Sequence, residues 1–155
     1  MQNLHLLSIL LCLFGILAPV FTQTQQDRDI IHKFTGVLAS YLQAGQYKSI
    51  YDMMGAGATV TVDNQIFGTS KTVSNRDDFA GILYAYKSFA PISLASIDTP
   101  VYLSTPNFFK VKIGAVLGLK VNPFGTPIRL ETVITFKTKH PKLGQVQSAK
   151  LTVHK

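Results

Sequence analysis

The chain has 155 residues and a formal net charge of +7, from 15 basic and 8 acidic residues. Its only cysteine, Cys12, excludes a disulfide framework, so a protein of this size must be stabilised by its hydrophobic core. The histidines are far apart in sequence, and no metal site and no cofactor is predicted.

Residues 1–22 are typical of a secretory signal peptide. An apolar run extends from Leu4 to Val20, and Val20 and Thr22 occupy the minus-three and minus-one positions of a cleavage site. A membrane anchor is the alternative, although a run of about 17 residues is at the short limit for a span. We therefore expect a secreted, extracellular protein whose mature part, residues 23–155, is a single domain.

Two helices are predicted on either side of Gly45. Apolar residues recur at helical spacing from Ile30 to Tyr41, after Asp27 and Asp29, whose negative charge suits the amino end of a helix. The spacing resumes with a new phase from Tyr47 to Met54. A glycine can adopt positive φ and end the first helix, whereas one continuous helix that tolerates Gly45 is the alternative.

The middle of the chain predicts two short strands and a third helix. Residues 59–62 alternate β-branched side chains, and residues 64–68 are expected to form a turn and a second strand. Ser74, with Asp77 three residues later, is a capping signal for the helix, and Pro91 closes it.

After this helix the spacing of apolar residues changes from helical to alternating. A strand region begins at Ile92, with bends at Pro100 and Pro106. Three more strands are predicted over residues 108–121, 128–140 and 145–153. The predicted order of elements is α-α-β-β-α-β-β-β-β.

This order resembles the NTF2-like superfamily, and more narrowly the short secreted NTF2-like proteins of nematodes. The resemblance rests on the break at Ala44-Gly45, the short strand, Phe67-Gly68, and the capped helix that begins Arg76-Asp77-Asp78-Phe79. It implies an α+β fold in which a curved antiparallel sheet wraps over three helices from the N-terminal half, making a cone with an apolar cavity. Such proteins include ketosteroid isomerases, polyketide cyclases and non-catalytic modules, so the resemblance assigns no activity.

Five aromatic residues are the candidates for lining the cavity, which we expect to bind a small hydrophobic ligand. Tyr41, Tyr51 and Tyr86 lie on the apolar stripes of the helices, and Phe34 and Phe136 lie on apolar faces as well. The tyrosine hydroxyls could point into the cavity. Core packing with the hydroxyl at the rim is the alternative.

Asp63 is the one weak candidate for a catalytic residue. Proton transfer in this fold usually requires a carboxylate held inside the cone. Asp63 follows the parity of Thr59 and Thr61, which is the polar side, and this favours a turn residue. We therefore predict a non-catalytic binding module. A ketosteroid-isomerase-like or cyclase-like enzyme that uses Asp63, and a structural or protein-partner domain with a filled cavity, are the alternatives.

The strands of the second half predict a basic outer face. Residues 99–155 hold nine basic residues and one acid, Glu131. The polar parity of the strands includes Lys110, Lys112, Lys137, Lys139 and Lys150. One interpretation is a solvated sheet face that lysine keeps soluble. The functional alternative is a surface that binds an extracellular polyanion or an anionic surface. Nucleic acid is not expected as a partner, and the sequence predicts no oligomeric state.

Overall fold

The computed structural model describes residues 23–89, 93–103, 105, 107–118 and 125–155. The predicted signal peptide, Pro91, Pro106 and most of the turn at 122–125 lie outside these ranges. Among the described residues, no helix is long and apolar enough to cross a bilayer.

The described part of the chain forms three helices: α1 Gln25–Ala44, α2 Tyr47–Met54 and α3 Arg76–Phe89. The predicted break between α1 and α2 is confirmed. Gly45 has a φ of 69°, in the left-handed region, and its N–H donates to the carbonyl of Leu42 at 3.2 Å. Glycine suits this position because it has no Cβ to resist positive φ.

Side chains cap the first and third helices. The Thr24 hydroxyl accepts the N–H of Asp27 at 3.1 Å, while the Asp27 carboxylate accepts the N–H of Thr24 at 3.0 Å. At α3 the predicted cap, Ser74, is wrong by one residue. The Asn75 amide oxygen accepts the N–H of Asp78 at 2.8 Å, because asparagine caps a helix as well as serine does.

The described strands form one seven-stranded sheet with the order β2-β1-β7-β6-β5-β3, and β4 also pairs with β5. The strands are β1 Thr59–Asn64, β2 Thr69–Val73, β3 Ser93–Ile97, β4 Val101–Tyr102, β5 Lys110–Gly118, β6 Ile128–Phe136 and β7 Val146–His154.

The second strand begins later than predicted. Residues 65–68 form only the turn, because the Asn64 side chain accepts the N–H groups of Ile66 and Phe67 at 3.0 and 3.2 Å. The short β4 is a strand that the sequence pattern did not separate from β3.

The α+β class is confirmed, and the curved sheet is mixed rather than wholly antiparallel. β1 and β7 pair in parallel, whereas the other described pairs are antiparallel. These two strands are separated by most of the chain, so no hairpin turn sets their relative direction.

One face of the sheet packs against the helices and forms the core. The alternation predicted along β5 is confirmed, since Val111, Ile113 and Ala115 are buried and face the helices. The rings of Phe34 and Phe109 both pack edge-to-face on Phe136, with centroids 5.9 Å apart. The opposite face of the sheet carries the polar side chains of the strands.

Candidate functional site

An apolar cavity of about 50 Å³ lies between the helices and the concave face of the sheet. Each helix contributes to its wall. The wall residues are Phe34, Leu38 and Leu42 of α1, Ile50 and Met54 of α2, Phe79 and Leu83 of α3, and Leu130, Thr132, Ile134, Ala149 and Leu151 of the sheet. A second cavity, of about 30 Å³, shares Leu38, Leu42, Leu130 and Thr132 with the first and reaches toward β3 and β5.

The walls of both cavities are almost entirely nonpolar, and none of their described residues is ionisable. Thr132 is the single polar residue of the first cavity, and Thr35 joins it in the second. The Thr35 hydroxyl donates to the carbonyl of Ile31 at 2.8 Å. Thr132 is 7% exposed, and its hydroxyl forms no hydrogen bond with any other described residue.

The two predicted phenylalanines lie next to each other in the cone. Phe34 lines the first cavity. Phe136 is fully buried and packs behind it, edge-to-face, with the ring centroids 5.9 Å apart.

The three predicted tyrosines lie outside the described cavity walls. The Tyr51 hydroxyl donates to the carbonyl of Ala58 at 2.7 Å, and the Tyr86 hydroxyl accepts the Asn64 amide at 3.2 Å. Tyr41 is half-buried against the edge of the core. The Tyr51 and Tyr86 hydroxyls thus bond to a backbone carbonyl and a side-chain amide outside the cavities, whose nonpolar walls offer few partners for them.

Sequence reasoning missed the aliphatic wall. A signal for it existed, since every helix places a pair of wall residues four positions apart on one helical face. The pairs are Leu38 and Leu42, Ile50 and Met54, and Phe79 and Leu83.

Asp63 lies in β1 on the outer face of the sheet, not in a turn and not in the cone. Its carboxylate forms an ion pair with Lys150 at 3.2 Å. The buried carboxylate of the described chain is Asp27, 2% exposed, which binds the His140 Nδ1 at 3.0 Å and lies outside the cavity walls. Among the described residues, no three His, Cys, Asp or Glu side chains are grouped to hold a metal ion.

The outer face is less basic than the sequence predicts. Lys112 pairs with Glu131 at 2.6 Å, and Lys150 pairs with Asp63 at 3.2 Å. Glu131 is thus not the only acid on this face. The sheet order also brings Asp63 of β1 and Asp98, which follows β3, beside the basic strands. Lys137 donates to the carbonyl of Ala56 at 3.1 Å. β6 ends at Phe136 and not at residue 140, so Lys137 and Lys139 lie in the segment after the strand and not on the predicted sheet face. Lys110 and Lys139 form no ion pair with described residues.

A depression of about 260 Å³ on this outer face carries balanced charge. Its wall includes two ion pairs, Lys112 with Glu131 and Arg129 with Asp98. A surface of paired charges attracts a polyanion less than a row of free cations does.

No protein-family model matches the sequence, and no curated protein matches it either. Solved structures do match over most of its length. The beta subunit of a putative aromatic-ring-hydroxylating dioxygenase from Novosphingobium aromaticivorans is 10% identical, with a TM-score of 0.62 over 84% of this chain and 91% of that chain. An NTF2-like protein with a cystatin-like fold from the same organism is 12% identical, with a TM-score of 0.59 over 83% and 82%.

ActVI-ORFA from Streptomyces coelicolor is similar as well. It is 9% identical, with a TM-score of 0.58 over 81% of this chain and 95% of that chain. At such low identities the likeness shows a shared fold and says nothing of activity.

Proposed function

We propose that this chain, which has the NTF2-like fold, is a secreted, non-catalytic module that binds a small uncharged apolar ligand inside its cone. The leader at residues 1–22 and the resemblance to short secreted nematode proteins belong to the same proposal. One observation carries it: eleven of the twelve residues that line the first cavity are apolar, and none is ionisable.

The chemistry of the wall limits the ligand. Burying apolar surface contributes about 25 cal/mol per Å², whereas an unpaired charge in such a site costs several kcal/mol. A charged ligand is therefore disfavoured. General acid–base catalysis would also need a titratable group within reach of the ligand, and the described wall supplies none.

The cavity must widen to hold an organic molecule. Its volume of about 50 Å³ is well below the roughly 150 Å³ of an engineered cavity that binds benzene. Leu38, Leu42 and Met54 border it with unbranched or γ-branched side chains, which change rotamer more readily than β-branched ones. We expect these side chains to move when a ligand enters.

A titration with small probes tests the proposal. Toluene should shift the methyl resonances of Leu38, Leu42 and Leu130 in a ¹³C spectrum, and benzoate should not. Ala149→Leu, which fills the cavity, should abolish the toluene shifts, whereas Gln147→Leu on the exposed side of the same strand should preserve them. Equal shifts from benzoate, or none from toluene, would contradict the proposal.

Secretion is tested separately from ligand binding. The full chain, expressed in animal cells, should be recovered from the medium as a protein that begins at Gln23, as measured by intact mass. An uncleaved chain held in the cell would contradict the secretory part of the proposal.

Polyanion binding is the second candidate function. The observation in its favour is that Lys110 and Lys139 have no acidic partner among the described residues, in a chain of net charge +7. An anionic chain can contact such cations without first breaking an ion pair.

A further inference from the structure

We infer that the Thr132 hydroxyl is the polar anchor of the cavity, and that the ligand is an uncharged apolar molecule with one hydroxyl or carbonyl oxygen. This inference rests on the proposed function and narrows it to a ligand class.

The position of Thr132 surrounds its hydroxyl with hydrocarbon. It lies in the middle of β6, and its cross-strand partners are Ile113 on β5 and Leu151 on β7. Leu130 and Ile134 are its neighbours on the same face of its own strand. Because Thr132 lines both cavities, its side chain lies where the two adjoin.

The hydroxyl is unusual because it is buried without a partner. Thr132 is 7% exposed and its hydroxyl makes no hydrogen bond with the other described residues, whereas buried hydroxyls in native proteins are nearly always bonded. Valine would have the same shape without an unsatisfied polar group. The hydroxyl therefore points to a partner outside the described part of the chain, and a bound ligand in the adjoining cavities would supply one.

A water molecule is a poor candidate for that partner. A buried water typically makes about three hydrogen bonds, with a range of two to four. The described cavity walls supply only the hydroxyls of Thr132 and Thr35. The Thr35 hydroxyl, which donates to the Ile31 carbonyl, can only accept, so a water there would make at most two hydrogen bonds, the lower end of that range. A ligand with one oxygen and an otherwise apolar body matches this wall, because it needs one hydrogen bond and buries its hydrocarbon elsewhere.

Toluene and benzyl alcohol, which differ by one oxygen, test the anchor. In Thr132→Val we expect benzyl alcohol affinity to fall about five- to tenfold, the effect of one neutral hydrogen bond, with toluene affinity unchanged. Thr132→Ser keeps the hydroxyl and should keep the benzyl alcohol affinity. Thr135→Val, on the outer face of the same strand, is the matched control. Affinities come from methyl NMR titrations.

The results of these titrations distinguish the Thr132 anchor from the proposed cavity function. Benzyl alcohol and toluene that both bind Thr132→Val as well as the wild type would overturn the anchor and leave the proposed cavity function intact. Failure of both probes to bind the wild type would overturn both the anchor and the proposed cavity function.

Urea unfolding should show Thr132→Val at least as stable as the wild type. If that variant misfolds, nuclear Overhauser contacts between the benzyl alcohol methylene and the Thr132 methyl in the wild type decide the question: their presence supports the anchor and their absence overturns it.

Discussion

At the residue scale, the buried polar side chains have distinct partners. Among the described residues, Asp27, Thr35 and Asn64 are buried and hydrogen-bonded, and each serves a local structure: a helix cap, a turn of α1 and the β1–β2 turn. Thr132 is also buried, and its hydroxyl forms no hydrogen bond with another residue of the described chain. Three of the four therefore stabilise the fold, and the fourth is available for binding.

Asp27 should be important for stability. Asp27→Ala removes the acceptor for the Thr24 N–H and for His140, and we expect it to lower the free energy of unfolding by about 2–3 kcal/mol. Asp29→Ala is the matched control in the same turn, since Asp29 is exposed and its carboxylate accepts a hydrogen bond from the Gln25 amide. Its cost should stay below about 1 kcal/mol. Urea unfolding at neutral pH measures both, and equal losses would contradict the prediction.

Buried tyrosines should make the protein less stable in alkali. Burial raises the pKa of Tyr51 above its ordinary value, and burial followed by the charge of Tyr84 raises the pKa of Tyr47. Each tyrosine thus contributes stability that is complete below about pH 10 and is lost as the pH rises through the folded pKa.

Urea unfolding across this range measures the effect. The free energy of unfolding should stay level up to about pH 10 and fall as the pH rises further. In Tyr51→Phe, which cannot ionise at that position, the fall should be shallower. A constant free energy above pH 10 in the wild type would rule out the effect.

At the element scale, the break at Gly45 shapes the cavity. It lets α2 leave α1 at an angle, so that Ile50 and Met54 of α2 join Leu38 and Leu42 of α1 in one wall. A continuous helix would carry the residues after Gly45 past the sheet instead of back across it.

Replacing either of two glycines in the helical region with alanine should change the free energy of unfolding in opposite directions. Gly45→Ala puts a side chain at positive φ and should lower the free energy of unfolding by about 1–2 kcal/mol. Gly36→Ala, inside α1 with open space around the new Cβ, should raise it by about 0.5–1 kcal/mol through helix propensity. Thermal unfolding measures both. Stabilisation by both changes would mean that α1 and α2 form one helix in solution.

At the scale of the whole molecule, the two faces of the sheet differ in chemistry. The concave face is apolar and encloses the cavities, while the outer face carries Lys112, Arg129 and Lys150, each paired with an acid. Such pairs contribute little to stability when exposed, but they reduce the positive field of the face.

Heparin chromatography tests whether the free lysines bind polyanions. The double change of Lys110 and Lys139 to glutamine should elute at clearly lower salt than the wild type. The double change of Lys48 and Lys87 to glutamine, on the helical side, alters the net charge equally but should lower the salt concentration of elution less. The reason is that salt near 0.15 M screens charges beyond about 8 Å. Equal losses from the two double variants would mean that only net charge is sensed.

The sequence by itself determined the features that depend on near neighbours along the chain. The break at Gly45, the strand at residues 59–62 and the alternation along β5 each follow from backbone preference or side-chain period within a few residues. The cap of α3 was predicted within one residue for the same reason. These local rules gave the order of elements, and the resemblance of that order to the NTF2-like superfamily implied the fold class.

Only the tertiary structure decided what the residues of the site contact. The parallel pairing of β1 with β7 places Asp63 beside Lys150, and no period within either strand specifies that pairing. The cavity wall likewise combines side chains from three helices and two strands, so its volume depends on how all of them pack at once. Thr132 has an ordinary alternating position in the sequence, and its hydroxyl is isolated only because its neighbours across the sheet are aliphatic.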